Sequence, residues 1–443
     1  MDSGCAPPRK PKIEATFFKT QYEIPCMTSF TFIHAADLHL DSPLSGLETY
    51  PDAPVEQIRG ATRRALDNLV TLAREQEVAF VLLAGDVFDN SWRDFHTALF
   101  FAQCMGRLGE AGIPVYAVSG NHDAANPIGK TLRPPDNVHF FSPTKPESVT
   151  LEHCNTVIHG QSYPGRETSE DLAAQYPPAV PGALNIGLLH TGLTGRSGHE
   201  PYAPTHPDIL AGKGYAYWAL GHVHQREIVG RDPWIVFPGI IQGRHIRETG
   251  PKGCSLVQVE DGRIRDVVHQ EIDVLRWYHG SLDCSSCACD EDVRQAVHGQ
   301  LQAARDVGAG RPVAVRLECT GASRMHARLH DSEQHFQEEW RTLAAELGDL
   351  WIEQIRLQTR PPADQSEEVD PDSPLGELIQ CIKAQVLPQS CTKELGDLMK
   401  QLPSEITEGE EGLNLKNAQQ WQQMQDDVRE LLLGRLLRQG GVE

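Results

Sequence analysis

Five short motifs between Asp37 and His224 carry side chains suited to chemistry: Asp37-Leu38-His39, Gly85-Asp86-Val87-Phe88-Asp89, Gly120-Asn121-His122-Asp123, His190 and Gly221-His222-Val223-His224. Asp, Asn and His together offer mixed oxygen and nitrogen donors, which suit manganese, iron or zinc better than magnesium or calcium. Such a set points to phosphoester hydrolysis. That reaction needs its non-bridging oxygens neutralised, water converted to hydroxide near neutral pH, and the leaving oxygen stabilised. Two divalent metals about 3.5–4 Å apart can do all three. A paired site needs one carboxylate shared by both ions. Asp86 suits that role, since it closes an apolar run and a turn follows. Asp37 and His39 are two residues apart on a strand end, and so are His222 and His224, so each pair can point to one side. Asn121 adds a neutral carbonyl oxygen and His190 another imidazole. Each has an ordinary alternative: a single histidine after a strand is usually packed, and Asp86-Val87 alone reads as a turn. The ordered set is the signal.

The elements that must position these residues are apolar runs. Phe30 to Ala36, Val78 to Ala84, Ile113 to Val118, Leu184 to Leu189 and Ala216 to Leu220 each stop just before a motif, and read as buried strands. Glu56 to Glu75, with Ile58, Ala65, Leu69 and Leu72 near one face, and Asp94 to Leu108, with Asp94 as N-cap, read as helices. The alternation predicts a layered α/β core. Further short strands are expected at Val138 to Phe141, Thr156 to His159 and Trp234 to Phe237, and a hairpin turns at Asp261-Gly262. They form a second sheet packed on the first, with the motifs at one edge where loops converge. A smaller α/β domain is expected over 271–360, with helices at Asp290 to Arg305 and Ser332 to Leu347 and strands at Pro312 to Leu317 and Trp351 to Leu357. Residues 361–374 read as an acidic, proline-bearing linker and 375–443 as a helical C-terminal region. Residues 1–29 read as a loose extension.

At 443 residues, 40% hydrophobic and 23% charged, the chain has the composition of a globular protein of two or three domains. No apolar run is long enough to span a bilayer, and the polar start lacks a secretory signal, so the expected compartment is the cytoplasm, without membrane attachment. The odd count of eleven cysteines fits reduced thiols. Cys284, Cys287 and Cys289 form a C-x-x-C-x-C cluster with no fourth partner nearby, and read as plain thiols. A net charge of −21 argues against a generally basic nucleic-acid surface, though not against a local one.

In order and type, the five motifs resemble those of the calcineurin-like metallophosphoesterases over Phe30 to Gln270. The phrases His34-Ala35-Ala36-Asp37-Leu38-His39-Leu40-Asp41-Ser42-Pro43-Leu44, Pro238-Gly239, Gln242-Gly243-Arg244-His245 and Glu248-Thr249-Gly250-Pro251-Lys252-Gly253 narrow this. They are similar to the DNA repair exonucleases of the SbcD and YhaO type, and nearer to the latter. The resemblance implies a two-sheet sandwich metallophosphoesterase core flanked by helices over 30–270, capped by the α/β domain. It implies one metal on Asp37, His39, Asp86 and His224, and a second on Asp86, Asn121, His190 and His222, with manganese expected and iron or zinc as alternatives. His122 would stabilise or protonate the leaving oxygen. Asp123 would orient His122 or the loop around it, and hydroxide would attack phosphorus in line. Some nuclease relatives have histidine where this chain has Asp89, which leaves a turn-stabilising side chain as the plain reading.

The implied activity is metal-dependent DNA exonuclease, or endonuclease, in repair. A small-molecule phosphodiesterase or phosphatase, and a DNA-binding subunit without catalysis, are the alternatives. Arg244, His245, Arg247 and Lys252 form a basic patch that could grip a phosphate backbone, or a solvated turn. Arg93 and His96 are weaker candidates for that role. Phe95 and Tyr163 could stack on a base but read better as core. Leu431-Leu432-Leu433 and Leu436-Leu437 form a stripe that packs on the chain's own helices or docks in a groove. The resemblance implies a partner ATPase with a long coiled coil at the C-terminal part. It also implies a homodimer through the helices near Arg59 to Leu72 and Asp94 to Leu108.

Overall fold

The computed structural model describes residues 29–42, 60–89, 95–125, 133–165, 168–194, 203–362 and 373–384, with scattered positions between 421 and 432. Two six-stranded sheets make its centre. In the first, β1 (Phe30–Ala35), β2 (Val81–Ala84), β3 (Val115–Val118) and β4 (Val138–Phe140) run parallel. The antiparallel hairpin of β11 (Gly253–Glu260) and β12 (Arg263–Glu271) flanks β1. The second has the order β5-β6-β7-β8-β10-β9. Its strands are β5 (Glu147–Leu151), β6 (Thr156–Gly160), β7 (Leu184–His190), β8 (Tyr217–Gly221), β9 (Glu227–Arg231) and β10 (Trp234–Phe237).

The period of two along each strand explains the layering. On β1, Ile33 and Ala35 join a cluster with α1 (Ala61–Glu75) and α2 (Phe95–Glu110), while Phe32 faces the second sheet. On β2 the same split separates Val81 and Leu83 from Leu82 and Ala84. From the opposite sheet come Ile186, Leu188, Tyr217 and Ala219, while Leu189, Trp218 and Leu220 turn outward into a third cluster. Phe32 stacks on Phe80 at 4.8 Å and meets Tyr217 edge-on at 5.5 Å. Helix α1 buries Ala61, Ala65, Leu66, Leu69 and Val70, three and four apart, as an amphipathic helix should. Leu72 is only partly buried, and Ile58 and Asp94 lie outside the described residues. The α/β two-sheet sandwich flanked by helices is therefore the observed fold. Asp261 (φ 49°) and Gly262 (φ 70°) turn the β11–β12 hairpin in the left-handed region, as a two-residue loop of that composition requires.

A third, wholly parallel sheet joins β13 (Arg276–Asp283), β14 (Val313–Thr320) and β15 (Leu350–Leu357). Helices α5 (Asp290–Gly308) and α7 (Glu333–Leu347) cover it with Val297, Leu301, Phe336 and Trp340. Chain order also gives short helices α3 (Asn121–Ala125), α4 (Pro207–Gly212) and α6 (His326–Asp331), and α8 (Pro374–Ala384) beyond the third sheet. Strands β5, β9 and β13 were not foreseen. They read Glu-Ser-Val-Thr-Leu, Glu-Ile-Val-Gly-Arg and Arg-Trp-Tyr-His-Gly-Ser-Leu-Asp, too polar for an apolar run because each is an edge strand.

The segment between β10 and β11 is fastened to the start of the third sheet. Gln242 Nε2 donates to the Leu275 carbonyl at 2.8 Å, and its Oε1 accepts from the Val274 amide at 2.9 Å. Trp277 Nε1 donates to the Gly243 carbonyl at 3.0 Å. Below it, Asp273 accepts from the Lys252 amide at 3.2 Å and from Arg276 Nε at 2.9 Å. Cys284, Cys287 and Cys319 are buried in the core of the third sheet, Cys289 is exposed, and all are free thiols. Among the described residues no helix is long and apolar enough to cross a membrane. Most of the 361–374 and 375–443 expectations lie outside the described residues. Leu432 is exposed, and Leu431, Leu433, Leu436 and Leu437 are among those not described.

Candidate metal centre

Strand ends deliver every motif to one edge of the sandwich. The turns after β1 and β2 are bonded to each other: Asp37 N donates to Gly85 O, His39 N to Asp86 O and Leu40 N to Val87 O, each at 3.0 Å. Asp37 (φ 52°), His39 (φ 40°), Asp86 (φ 51°) and His222 (φ 101°) all have left-handed backbones. Such conformations cost free energy for non-glycine residues and gather at functional sites. The approach is close enough to exclude side chains elsewhere. A Cβ on Gly120 would overlap the Asp86 carboxylate, and one on Gly221 would overlap the Ala84 carbonyl.

The side chains converge. His39 Nε2 and His224 Nε2 are 3.2 Å apart. His190 Nε2 lies 3.4 Å from Asp86 Oδ2 and 3.0 Å from Asn121 Oδ1, and His39 Nε2 lies 3.9 Å from the same Asp86 oxygen. Asp37 accepts the His222 amide at 3.0 and 3.2 Å, and the His222 ring meets His190 edge-on at 5.3 Å. Three groups have ligand atoms all within 4.8 Å of one another: Asp37, His39 and His224; His39, Asp86 and His122; Asp37, Asp86 and His190. Asp37, His39 and His190 are fully buried and Asp86 nearly so.

Burial opposes ionisation of Asp86, but the charges of His190, His39 and His122 outweigh it and hold the carboxyl below the usual range. Burial also works against a charged His190, and Asp86 and Asp37 reverse this, pushing it up to about 9. Burial raises Asp37 and lowers His39. His39 Nδ1 is buried without a hydrogen-bond partner among the described residues. Buried carboxylates and imidazole nitrogens crowded together are costly unless their charges are compensated, and a bound cation would do so. The donor chemistry therefore fits divalent metal ions, with Asp86 in two of the three groups.

His122 stands beside this cluster, its ring edge-on to His39 at 4.8 Å, and is partly open to solvent. Its Nδ1 lies 3.5 Å from Asp89 Oδ1. Its ring is also close enough to His39 and Asp86 to share a cation with them, so a position wholly apart from the metals is not what the geometry displays. Asp123 does not touch the His122 ring. Its carboxylate accepts from the amides of Val87 (3.1 Å), Phe88 (2.9 Å) and Gly120 (3.1 Å), so it fixes the loop. Of the two expected roles for Asp123, orienting His122 gives way to holding the loop, and Asp89 is the residue that faces the imidazole.

Most of the basic patch is paired rather than solvated. Arg244 is mostly buried, 3.5 Å from Asp89 Oδ2 and 3.5 Å from Glu248 Oε1. His245 Nε2 is 3.5 Å from Glu248 and Lys252 is buried, whereas Arg247 is exposed. Arg244 is paired with Asp89 and Glu248, and Lys252 is attracted by Glu248 and Asp273. Tyr163 is buried edge-on to His190 at 5.4 Å, as core packing requires. His96 is exposed on α2, and Arg93 lies outside the described residues. The expectations had no role for Glu248. Its signal was slight: it stands four residues after Arg244 in the phrase Glu248 to Gly253.

Comparisons with known proteins agree with this geometry. The calcineurin-like phosphoesterase family matches residues 30–226, and the middle domain of metallophosphoesterase YhaO matches residues 277–360. The uncharacterized metallophosphoesterase YhaO of Bacillus subtilis (strain 168) is 38% identical over 301 residues, covering 67% of this chain and 73% of that one. The DNA double-strand break repair protein Mre11 of Methanopyrus kandleri is 25% identical over 339 residues, covering 69% and 71%. Its namesake in Sulfurisphaera tokodaii is 25% identical over 284 residues, covering 61% and 69%. On the matched residues and the YhaO identity together, the chain belongs to the calcineurin-like metallophosphoesterases and carries a YhaO-type middle domain.

Proposed function

We propose that this chain is a metal-dependent DNA exonuclease, with endonuclease action on the same site, and that manganese is its metal. The observation that carries the hydrolytic reading is the cluster of buried Asp37, Asp86, His39 and His190 with partly buried His224, whose ligand atoms face one another. One ion would be held by Asp37, His39, Asp86 and His224, the other by Asp86, Asn121, His190 and His222. Bound divalent ions supply the charge that neutralises phosphoryl oxygens and lowers the pKa of water. The chain's own residues do the rest. Asp89 faces His122 Nδ1 and orients the ring, which leaves Nε2 to hold the proton for a leaving oxygen. Asp123 holds the loop that carries His122. DNA as substrate is supported by the similarity to proteins named for double-strand break repair. Arg247 is exposed in the loop that carries Arg244 and Glu248, and would meet the backbone. A coiled-coil ATPase partner, a homodimer and a cytoplasmic location belong to the same reading.

A small phosphodiester is the second reading. It is favoured by the pairing of Arg244 with Asp89 and Glu248, since a guanidinium already held by two carboxylates offers less to a DNA strand. The deciding experiment is hydrolysis of end-labelled linear DNA and of bis-p-nitrophenyl phosphate with added manganese, for wild type and Asp86→Ala. Degradation of DNA by wild type alone upholds the nuclease. Cleavage of the small diester alone, with DNA intact, moves the assignment to the second reading.

A further inference from the structure

We propose that Glu248 is the positioning residue for His224, holding it as the tautomer whose bare Nε2 faces the metal cleft, and that Arg244 locks Glu248 in that role. The inference rests on the dinuclear reading above and adds a residue outside its five motifs. Glu248 Oε1 lies 2.6 Å from His224 Nδ1. An ionised carboxylate only accepts, so Nδ1 carries the proton and Nε2 of the neutral ring is left as donor to a cation. That Nε2 is the atom that faces His39 Nε2 at 3.2 Å, in the group completed by Asp37.

Glu248 is itself fixed. It is buried, and its Oε2 accepts from the Arg244 amide at 2.6 Å. The Arg244 guanidinium, 3.5 Å from Oε1, also reaches Asp89 Oδ2 at 3.5 Å and Ser42 Oγ at 3.4 Å. These contacts hold the carboxylate against His224, and Oε1 also lies 3.5 Å from His245 Nε2. Neither of two other imidazoles in the cluster, His190 from the other ion's set and His39 from the same one, has this arrangement. His190 Nδ1 donates to the Ala84 carbonyl at 2.9 Å, and His39 Nδ1 has no partner among the described residues. A charged acceptor raises the basicity of a ligating imidazole more than a carbonyl does, and such partners typically govern 10- to 100-fold in metal affinity.

The test uses the full chain with manganese(II). Calorimetric titration of wild type should give two equivalents bound. Glu248→Gln should weaken one of them by roughly 10- to 100-fold and leave the other unchanged. Arg244→Met keeps the carboxylate and removes its lock, and should weaken the same equivalent by a smaller factor. In the metal-free protein, a downfield imidazole N–H resonance should be present in wild type and lost in Glu248→Gln, with the melting temperature retained. Two equivalents bound equally tightly by wild type and both variants, with that resonance unmoved, overturn the role of Glu248 alone. Loss of both equivalents together in Glu248→Gln overturns its restriction to His224. Wild type that binds no manganese removes the dinuclear reading, and this inference with it.

Discussion

The two central sheets meet at one edge but bring different chemistry to it. The first sheet delivers Asp37, His39, Asp86 and Asn121, mostly oxygen donors. The second delivers His190, His222 and His224, all imidazoles. Short carboxylates must be carried to the cleft by the backbone itself, and Asp37 and Asp86 both sit in left-handed turns past their strands. An imidazole reaches further, so His190 can remain the last residue of β7. The exception is informative. His222 also has a positive φ, and its amide points at the Asp37 carboxylate, so there the second sheet bends to serve the first. The comparison teaches that strain collects in the turns of the first sheet, where Asp37, His39 and Asp86 all have positive φ, while the imidazole side depends on partners that fix its rings.

The largest test of this division is Asp86→Ala. It removes a carboxylate that would be shared between the two ions, and turnover should fall on the order of 10³-fold or more, with manganese content dropping in step. Retained manganese would break the shared role. His122→Ala should cost about 10²- to 10⁴-fold in turnover on a diester with a poor leaving group, with metal content intact. Loss of metal instead would make His122 a ligand. Gly221→Ala places a methyl group against the Ala84 carbonyl, between the sheets, and should destabilise by about 1–3 kcal/mol in chemical denaturation.

His34 sharpens the comparison through pH. It joins the sheets by Nδ1 to the Tyr217 hydroxyl at 3.0 Å and Nε2 to the Leu220 carbonyl at 3.1 Å. Burial lowers its pKa to about 3, against partial opposition from the Leu220 carbonyl. The unfolded chain therefore binds the proton more readily. The contribution of neutral His34 is complete above about 6.5 and is lost as pH falls toward about 3, with a slope approaching roughly 1.4 kcal/mol per unit. Urea midpoints of wild type and His34→Gln between pH 7 and pH 4.5 should converge, and parallel curves would remove His34 as the cause. The smallest effect belongs to Arg247→Ala, which should lower the slope of DNA affinity against salt by about one ion.

Much of this could be read from the sequence, and the reasons are physical. The ligand residues follow apolar runs of strand length, and a buried strand that ends in a polar residue announces itself. The sandwich was legible for the same reason, since Ile33 and Phe32 divide between two layers by simple alternation. Glu248 was not legible as a partner of His224, because the contact is made through the folding of a loop rather than by any spacing. Arg244 and Lys252 read as surface charge, and their attraction to Glu248, Asp89 and Asp273 appears only once the chain is folded. Strand β13 escaped because its residues alternate with polar ones at a sheet edge.

The segment from Gln242 to Pro251 has two faces. One carries Arg244 and Glu248 to the cleft, and the other is bonded to Leu275, Val274 and Trp277 at the head of the third sheet. No clean cut-point therefore exists between the two layers of this protein. A chain truncated at Gln270 would keep all five motifs and lose the scaffold behind His224. The support of the cluster thus runs past His224 and into the head of the third sheet.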